Sequence, residues 1–155
     1  GHLVVSTLHT NSSAGSIVRL MDMGVENYLL ADAIFGVIAQ RLVRKLCPHC
    51  RRPRLATEAE MEVLSMAGEE PVTIYEPCGC DKCSQTGYSG RVGVYEILRV
   101  TPRIKELIHD HASADQLRDT AVAEGMVTLR SNARQLVLEG VTSMNEMLRI
   151  TYENE

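Results

Sequence analysis

Cys47-Pro48-His49-Cys50 and Cys80-Asp81-Lys82-Cys83 are the stretches around which the 155-residue chain is organised. A Cys-x-x-Cys knuckle aims two thiolates at one point, and two knuckles complete the tetrahedron of a closed structural zinc site. Residues 51–79 separate the pairs, a longer interval than a compact zinc ribbon uses, so this segment requires structure of its own. Cys78, two residues before Cys80, makes the third ligand ambiguous. Cys80 is preferred because it repeats the x-x spacing of the first pair, giving Cys47, Cys50, Cys80 and Cys83 as the expected ligands. The same spacing is compatible with reduced pairs, disulfides or a four-thiolate iron centre.

Composition narrows the function classes. The chain is 45% hydrophobic and 23% charged, with 4% aromatics, no Trp and a formal net charge of −4. That charge supplies no global attraction to nucleic acid or anionic lipid. No apolar run approaches the ~20 residues of a membrane span, and no leader pattern opens these residues. Cysteines clustered as x-x pairs suit a reducing, cytosolic compartment better than a secreted disulfide scaffold.

Leu3-Val4-Val5 begins a short apolar run that reads as a buried strand to Leu8, followed by His9-Thr10-Asn11. A buried parallel strand needs neighbours on both sides, which nearby residues do not supply. Thr10, Asn11 or Ser12 can cap a helix that carries Ile17, Leu20 and Met21 and stops near Gly24. The spacing of Leu30, Ile34, Val37, Ile38 and Leu42 predicts a second helix from about Asn27 to Lys45, ending at the first knuckle.

Charge then segregates. Arg41, Arg44, Lys45, Arg51, Arg52 and Arg54 fall in an acid-free block, and Glu58, Glu60, Glu62, Glu69, Glu70 and Glu76 in a base-free one. A metal site that folds the loop back would let these blocks partly neutralise each other. The competing reading, a nucleic-acid patch at 41–54, lacks the interleaved aromatics of single-strand stacking. Thr57-Glu58-Ala59-Glu60 has the form of a capping box and predicts a helix to about Ala67. Gly87, Gly90 and Gly93 read as turn and hairpin chemistry before the strand-like Val94–Leu98. Thr101-Pro102, Ser113…Gln116 and Ser143…Glu146, with stops at Gly125 and Gly140, predict helices near 103–110, 114–124, 128–139 and 143–150.

Taken together, five segments resemble one family, the type II secretion and type IV pilus assembly ATPases. Gly1-His2-Leu3-Val4-Val5-Ser6-Thr7-Leu8-His9-Thr10-Asn11 looks like its histidine box. Arg19–Val25, Ala39–Arg44, the cysteine pairs and Thr86–Arg91 are similar to the segments that follow. The ending, Leu107–Asp110 through Thr142-Ser143 to Leu148-Arg149, looks closer to the secretion branch than the pilus branch.

The resemblance implies an α/β fold: the C-terminal part of a RecA-like ATPase domain, with an inserted tetracysteine zinc subdomain and a C-terminal helical bundle. It divides the chain into residues 1–46, a zinc subdomain at 47–87, and a hairpin and helical region at 88–155. It further implies a hexamer, cytoplasmic and peripheral to the inner membrane through partners. An inner-membrane platform and cytoplasmic components of the machine would be those partners, with no nucleic acid among them. The parent would turn ATP hydrolysis, with Mg²⁺, into pseudopilus assembly. His9 would sense the γ-phosphate, with His2 and Arg19 as lesser candidates, and Zn²⁺ would be structural.

One departure is large. The phosphate-binding loop Gly-x-x-x-x-Gly-Lys-Ser/Thr is absent from these residues: the lysines are Lys45, Lys82 and Lys105, and none follows a glycine. The chain is therefore expected to be a C-terminal piece, inactive alone, because it lacks the groups that hold the β- and γ-phosphates. A zinc-stabilised interaction or nucleic-acid-binding module without catalysis is the alternative of another class.

Overall fold

Helix caps written into the sequence set most of the boundaries in the computed structural model, which describes residues 2–152. Gly1 of the histidine-box segment and residues 153–155 of the expected C-terminal region lie outside the described residues. The first half runs α1 (Ser13–Asp22), α2 (Asn27–Ala33), β1 (Gly36–Leu46), β2 (Arg52–Leu55), α3 (Glu58–Val63) and β3 (Thr73–Glu76). A 3₁₀ turn (Asp81–Cys83) leads to β4 (Tyr88–Arg99), α4 (Pro102–His109), α5 (Ala114–Ala123), α6 (Leu129–Leu138) and α7 (Met144–Tyr152). The chain is a mixed α/β protein of two compact units, Gly1–Ala39 with Glu96–Thr128 and Gln40–Tyr95 with Leu129–Glu155. Strand β1 pairs with β4.

In the first unit, the Ser12 hydroxyl accepts the Gly15 N–H at 3.1 Å and opens α1. Thr101 and Ser113 cap α4 and α5 in the same way, Ser113 within a full capping box. Helix α1 packs on α5, and α2 on α4. Their facing stripes bury Ile17, Leu30, Ala31, Ile104, Ile108 and Leu117 around Leu98 of β4.

In the second unit, β2 and β3 form an antiparallel pair with Arg52 opposite Glu76 and Leu55 opposite Thr73. Helix α3 between them carries the predicted capping box, Thr57 with Glu60, but ends at Val63 rather than near Ala67. Helices α6 and α7 pack on each other and on β3. Val43, Leu64, Ile74, Val94, Val137 and Met147 are buried here.

Three expectations need correction. The helix expected over Asn27–Lys45 is a seven-residue helix followed by an eleven-residue strand. Val37, Ala39 and Val43 lie on the more buried face of β1, while Ile38 and Leu42 are exposed on the other. Apolar residues on both faces erase the alternation and leave a spacing that imitates a helix. The strand expected over Leu3–Leu8 has no regular structure. Leu3, Val4 and Val5 are 82%, 79% and 88% exposed. No described strand pairs with them, as a buried strand would require. Finally, Gly87–Gly93 do not close a hairpin: they lead into β4, one continuous strand whose partner is the distant β1.

Candidate metal centre

The first knuckle is fixed at the end of β1. The Cys47 N–H donates to the Gly87 carbonyl at 2.9 Å, and the Cys50 and Arg51 N–H groups fold back onto the Cys47 carbonyl at 3.3 and 3.0 Å. The tight turn aims the Cys47 and Cys50 sulfurs the same way. Next to it, the Arg51 guanidinium lies 4.6 Å from the Tyr75 ring centre, joining the knuckle to β3.

The second knuckle is the 3₁₀ turn after Cys80. The Cys83 and Gln85 N–H groups donate to the Cys80 carbonyl at 3.1 and 2.9 Å, and the Thr86 hydroxyl donates to the Cys83 carbonyl at 2.7 Å. Two glycines make the approach possible. Gly79 sits at φ +117°, where a Cβ would lie 2.8 Å from the Gln85 carbonyl oxygen. Gly87 sits at φ +76°, where a Cβ would collide with Pro77.

These turns bring four sulfurs together. The Sγ atoms of Cys47, Cys50, Cys80 and Cys83 all lie within 4.8 Å of one another. Cys47–Cys80 is 3.9 Å, and Cys50–Cys83 and Cys80–Cys83 are both 3.8 Å. Four thiolates ~2.3 Å from a tetrahedral ion stand ~3.8 Å apart, so the cage has the dimensions of such a site. All five cysteines are free, and these separations are far beyond a disulfide bond of ~2.05 Å. Cys78 is exposed and is not among the four.

Backbone donors complete the cage. The Gly79 N–H donates to Cys50 Sγ at 3.3 Å, and the Cys80 and Gly87 N–H groups donate to Cys83 Sγ at 3.2 Å each. Burial pushes the Cys50 and Cys80 thiols up. Burial also opposes ionisation of Cys83, but the Cys80 and Gly87 N–H groups and the neighbouring thiols bring it down to about 6. That lowering favours the Cys83 thiolate, the form that binds metal. The cage fits a structural metal ion: all four positions come from protein, leaving none for substrate.

The other expected site residues belong to the first unit. His2 and His9 are exposed on the irregular segment before α1, and Arg19 is exposed on α1. Of the charge blocks, Arg54 pairs with Glu60 at 2.6 Å and Glu76 at 3.0 Å, whereas Arg44 turns to Glu146. Sequence reasoning missed the Gly79 and Gly87 donors, although a glycine within Cys78-Gly79-Cys80 was the available signal. It also missed buried Glu96, which accepts from the Ser13 N–H at 3.2 Å and from the Ser13 hydroxyl. Nothing in local sequence links residues 83 positions apart.

The profile of the type II/IV secretion system protein family matches residues 1–149. Type II secretion system protein E of Pseudomonas aeruginosa is 46% identical over 153 residues, covering 99% of this chain and 30% of the relative. Type IV pilus assembly ATPase TfpB of Acinetobacter baylyi is 45% identical over 152 residues, covering 97% of this chain and 26% of the relative. Type II secretion system ATPase E of Vibrio cholerae is 40% identical over 154 residues, again 99% of this chain and 30% of the relative. The chain thus spans under a third of the length of these relatives.

Proposed function

The chain belongs to the type II/IV secretion system protein family, and from that premise we propose that it is the C-terminal part of a secretion ATPase. The single observation that carries this reading is 40–46% identity across almost the whole chain to proteins described as secretion protein E or pilus assembly ATPases. The longer protein would be a hexamer with a RecA-like core and would convert ATP hydrolysis into pseudopilus assembly. It would act beside the inner membrane through a platform protein; no described helix is long and apolar enough to cross a membrane. Type IV pilus assembly is the second reading, favoured by the 45% identity to TfpB.

Within that protein, residues 1–46 would complete the nucleotide-binding domain, residues 47–87 would form the zinc subdomain, and residues 88–155 would form the C-terminal region. Cys47, Cys50, Cys80 and Cys83 would hold Zn²⁺, which supplies folding free energy when bound. The phosphate loop and Mg²⁺ ligands would come from other parts of the protein, since in-line transfer needs both. His9 would lie at the γ-phosphate edge, donating a hydrogen bond to a phosphate oxygen or to the attacking water. His2 and Arg19 are lesser candidates.

The test is His9→Ala in the full-length protein. A group that positions or transfers a proton is worth ~10²–10⁴-fold in rate, so turnover should fall at least about tenfold with nucleotide affinity and metal content little changed. Wild-type turnover would remove the sensor role.

A further inference from the structure

The Gln40–Tyr95 and Leu129–Glu155 unit has a concavity of about 400 Å³ that shares no lining residue with the cysteine cage, lined by Leu42, Arg44, Arg91, Glu146 and Arg149. Among the described lining residues three guanidinium groups stand against one carboxylate, a formal charge of +2. Glu146 is 2% exposed. Its oxygens accept from the Arg44 backbone N–H at 2.7 Å, from Arg44 Nη2 at 2.8 Å and Nε at 3.0 Å, and from Arg149 Nη2 at 3.2 Å. Those two arginines keep outward faces nonetheless, with side chains 52% and 45% exposed. Arg91, also exposed, has no hydrogen bond, ion pair or ring contact with any described residue.

This arrangement is a preorganised anion receptor. Glu146 holds two of the cations in place. Arg44 is further braced 4.0 Å from the Tyr88 ring centre, and Arg149 by donation to the Leu42 carbonyl at 2.8 Å. A ligand would therefore have little side-chain ordering to impose on them. The guanidinium fork matches the oxygens of a phosphate bidentately, and Arg91 supplies a cation with no competitor among the described residues. The chemistry of the wall selects further. Among the described residues Leu42 is its one apolar lining residue and no aromatic ring lines it, so they offer nothing to stack a nucleobase or bury an acyl chain. A single carboxylate would leave half of the charge unmet, whereas a phosphate dianion matches it. We propose that this pocket binds a phosphate group, with Arg91 as the residue that decides affinity, independently of nucleotide binding elsewhere in the longer protein.

The test is calorimetric titration of inorganic phosphate into the 155-residue chain, at ionic strength held constant with sodium chloride. These residues contain no phosphate-binding loop to compete. We expect saturable binding that Arg91→Gln weakens at least about tenfold, the loss expected for a charge-assisted contact. Arg91→Lys should keep part of the affinity. Arg103→Gln, on exposed α4, is the control and should match wild type. Because Arg91 is exposed and unpartnered, its replacement should leave the melting temperature unchanged. A second arm measures co-sedimentation with phosphatidylglycerol against phosphatidylcholine vesicles. Arg91-dependent binding to the anionic vesicles without binding of free phosphate assigns the group to a lipid headgroup. No saturable binding in either arm, or equal binding by Arg91→Gln, overturns the proposal.

Discussion

The backbone N–H of Gly87 donates to the sulfur of Cys83 at 3.2 Å, from a φ of +76° that leaves no room for a Cβ beside Pro77. This one contact joins the entry to β4 with the second cysteine knuckle, so backbone conformation and thiolate stabilisation depend on the same glycine. Gly87→Ala should pay twice, in left-handed strain and in displacement of the donor. We expect a loss of about 2–3 kcal/mol in stability and about 10–100-fold in metal affinity, measured by chelator competition. Unchanged affinity would mean that the donor does not support the site.

Cys80→Ser should lose bound metal and loosen the segment from Cys47 to Gly87, because it removes one of four converging sulfurs. Cys78→Ser should keep one metal per chain, since its exposed thiol is not among them. Elemental analysis of the two proteins decides it, and the opposite ranking would refute the ligand set. Chelation should leave amide protection in α1, α2, α4 and α5 intact, because their apolar stripes bury one another without the cage.

The Arg54–Glu60 pair gives a pH test. The Arg54 guanidinium holds the Glu60 carboxyl down at about 2, against burial that opposes ionisation, with the Thr57 N–H helping. A depressed carboxyl stabilises the fold above its unfolded value of 4.5 and loses that contribution as pH falls from 4.5 towards 2. With Arg54 about a third exposed, screening leaves about 1–2 kcal/mol. Glu60→Gln should flatten the stability profile in that window and change little at pH 7 beyond the lost pair. A Glu60→Gln profile as steep as wild type below pH 4.5 would assign the acid sensitivity to other carboxyls.

Glu146 is buried against the exposed ends of two arginines, and its removal should differ from removal of a partner. Burial raises its pKa, but the Arg44 N–H, the Arg44 guanidinium and Arg149 outweigh that, and the net shift is downward. Glu146→Ala frees Arg44 and Arg149 to hydrate and should cost about 1–2 kcal/mol. Arg44→Ala leaves a buried carboxylate with Arg149 as its remaining guanidinium partner and should cost more, about 2–3 kcal/mol. Chemical denaturation of both variants gives the order, and Glu146→Ala being the worse would contradict it.

What was legible in the sequence was local. Thr57, Thr101, Ser113 and Ser143 announce helices because a cap is a short-range hydrogen bond between residues three apart. The cysteine knuckles are readable for the same reason. Strand β1 was not, since its exposed face carries Ile38 and Leu42 and the period was lost. The β2–β3 pair was missed because Arg52-Pro53-Arg54-Leu55 has no strand pattern of its own: its partner lies across α3, and pairing alone makes it a strand. The apolar Leu3–Leu8 run had the pattern without the partner and stayed irregular.

One non-local contact in the first unit reaches the first turn of α1, close in sequence to the proposed sensor. Glu96 is buried at the start of that unit's share of β4, and one of its carboxyl oxygens accepts from both the N–H and the hydroxyl of Ser13. An acceptor at the first turn of α1 satisfies an orphan N–H and sits favourably in the helix dipole. It therefore fixes where α1 begins, four residues after His9. Glu96→Gln keeps an acceptor oxygen and should cost about 1 kcal/mol or less. Glu96→Ala leaves the buried Ser13 N–H without this acceptor and its hydroxyl with the Met126 sulfur at 3.9 Å, at about 2–3 kcal/mol. Hydrogen exchange should then show the first turn of α1 losing protection in the alanine variant while α4 keeps it. Ser13→Ala removes the hydroxyl alone and should fall between the two. Equal protection of that turn in wild type and Glu96→Ala would show that Ser12 capping alone holds the helix start.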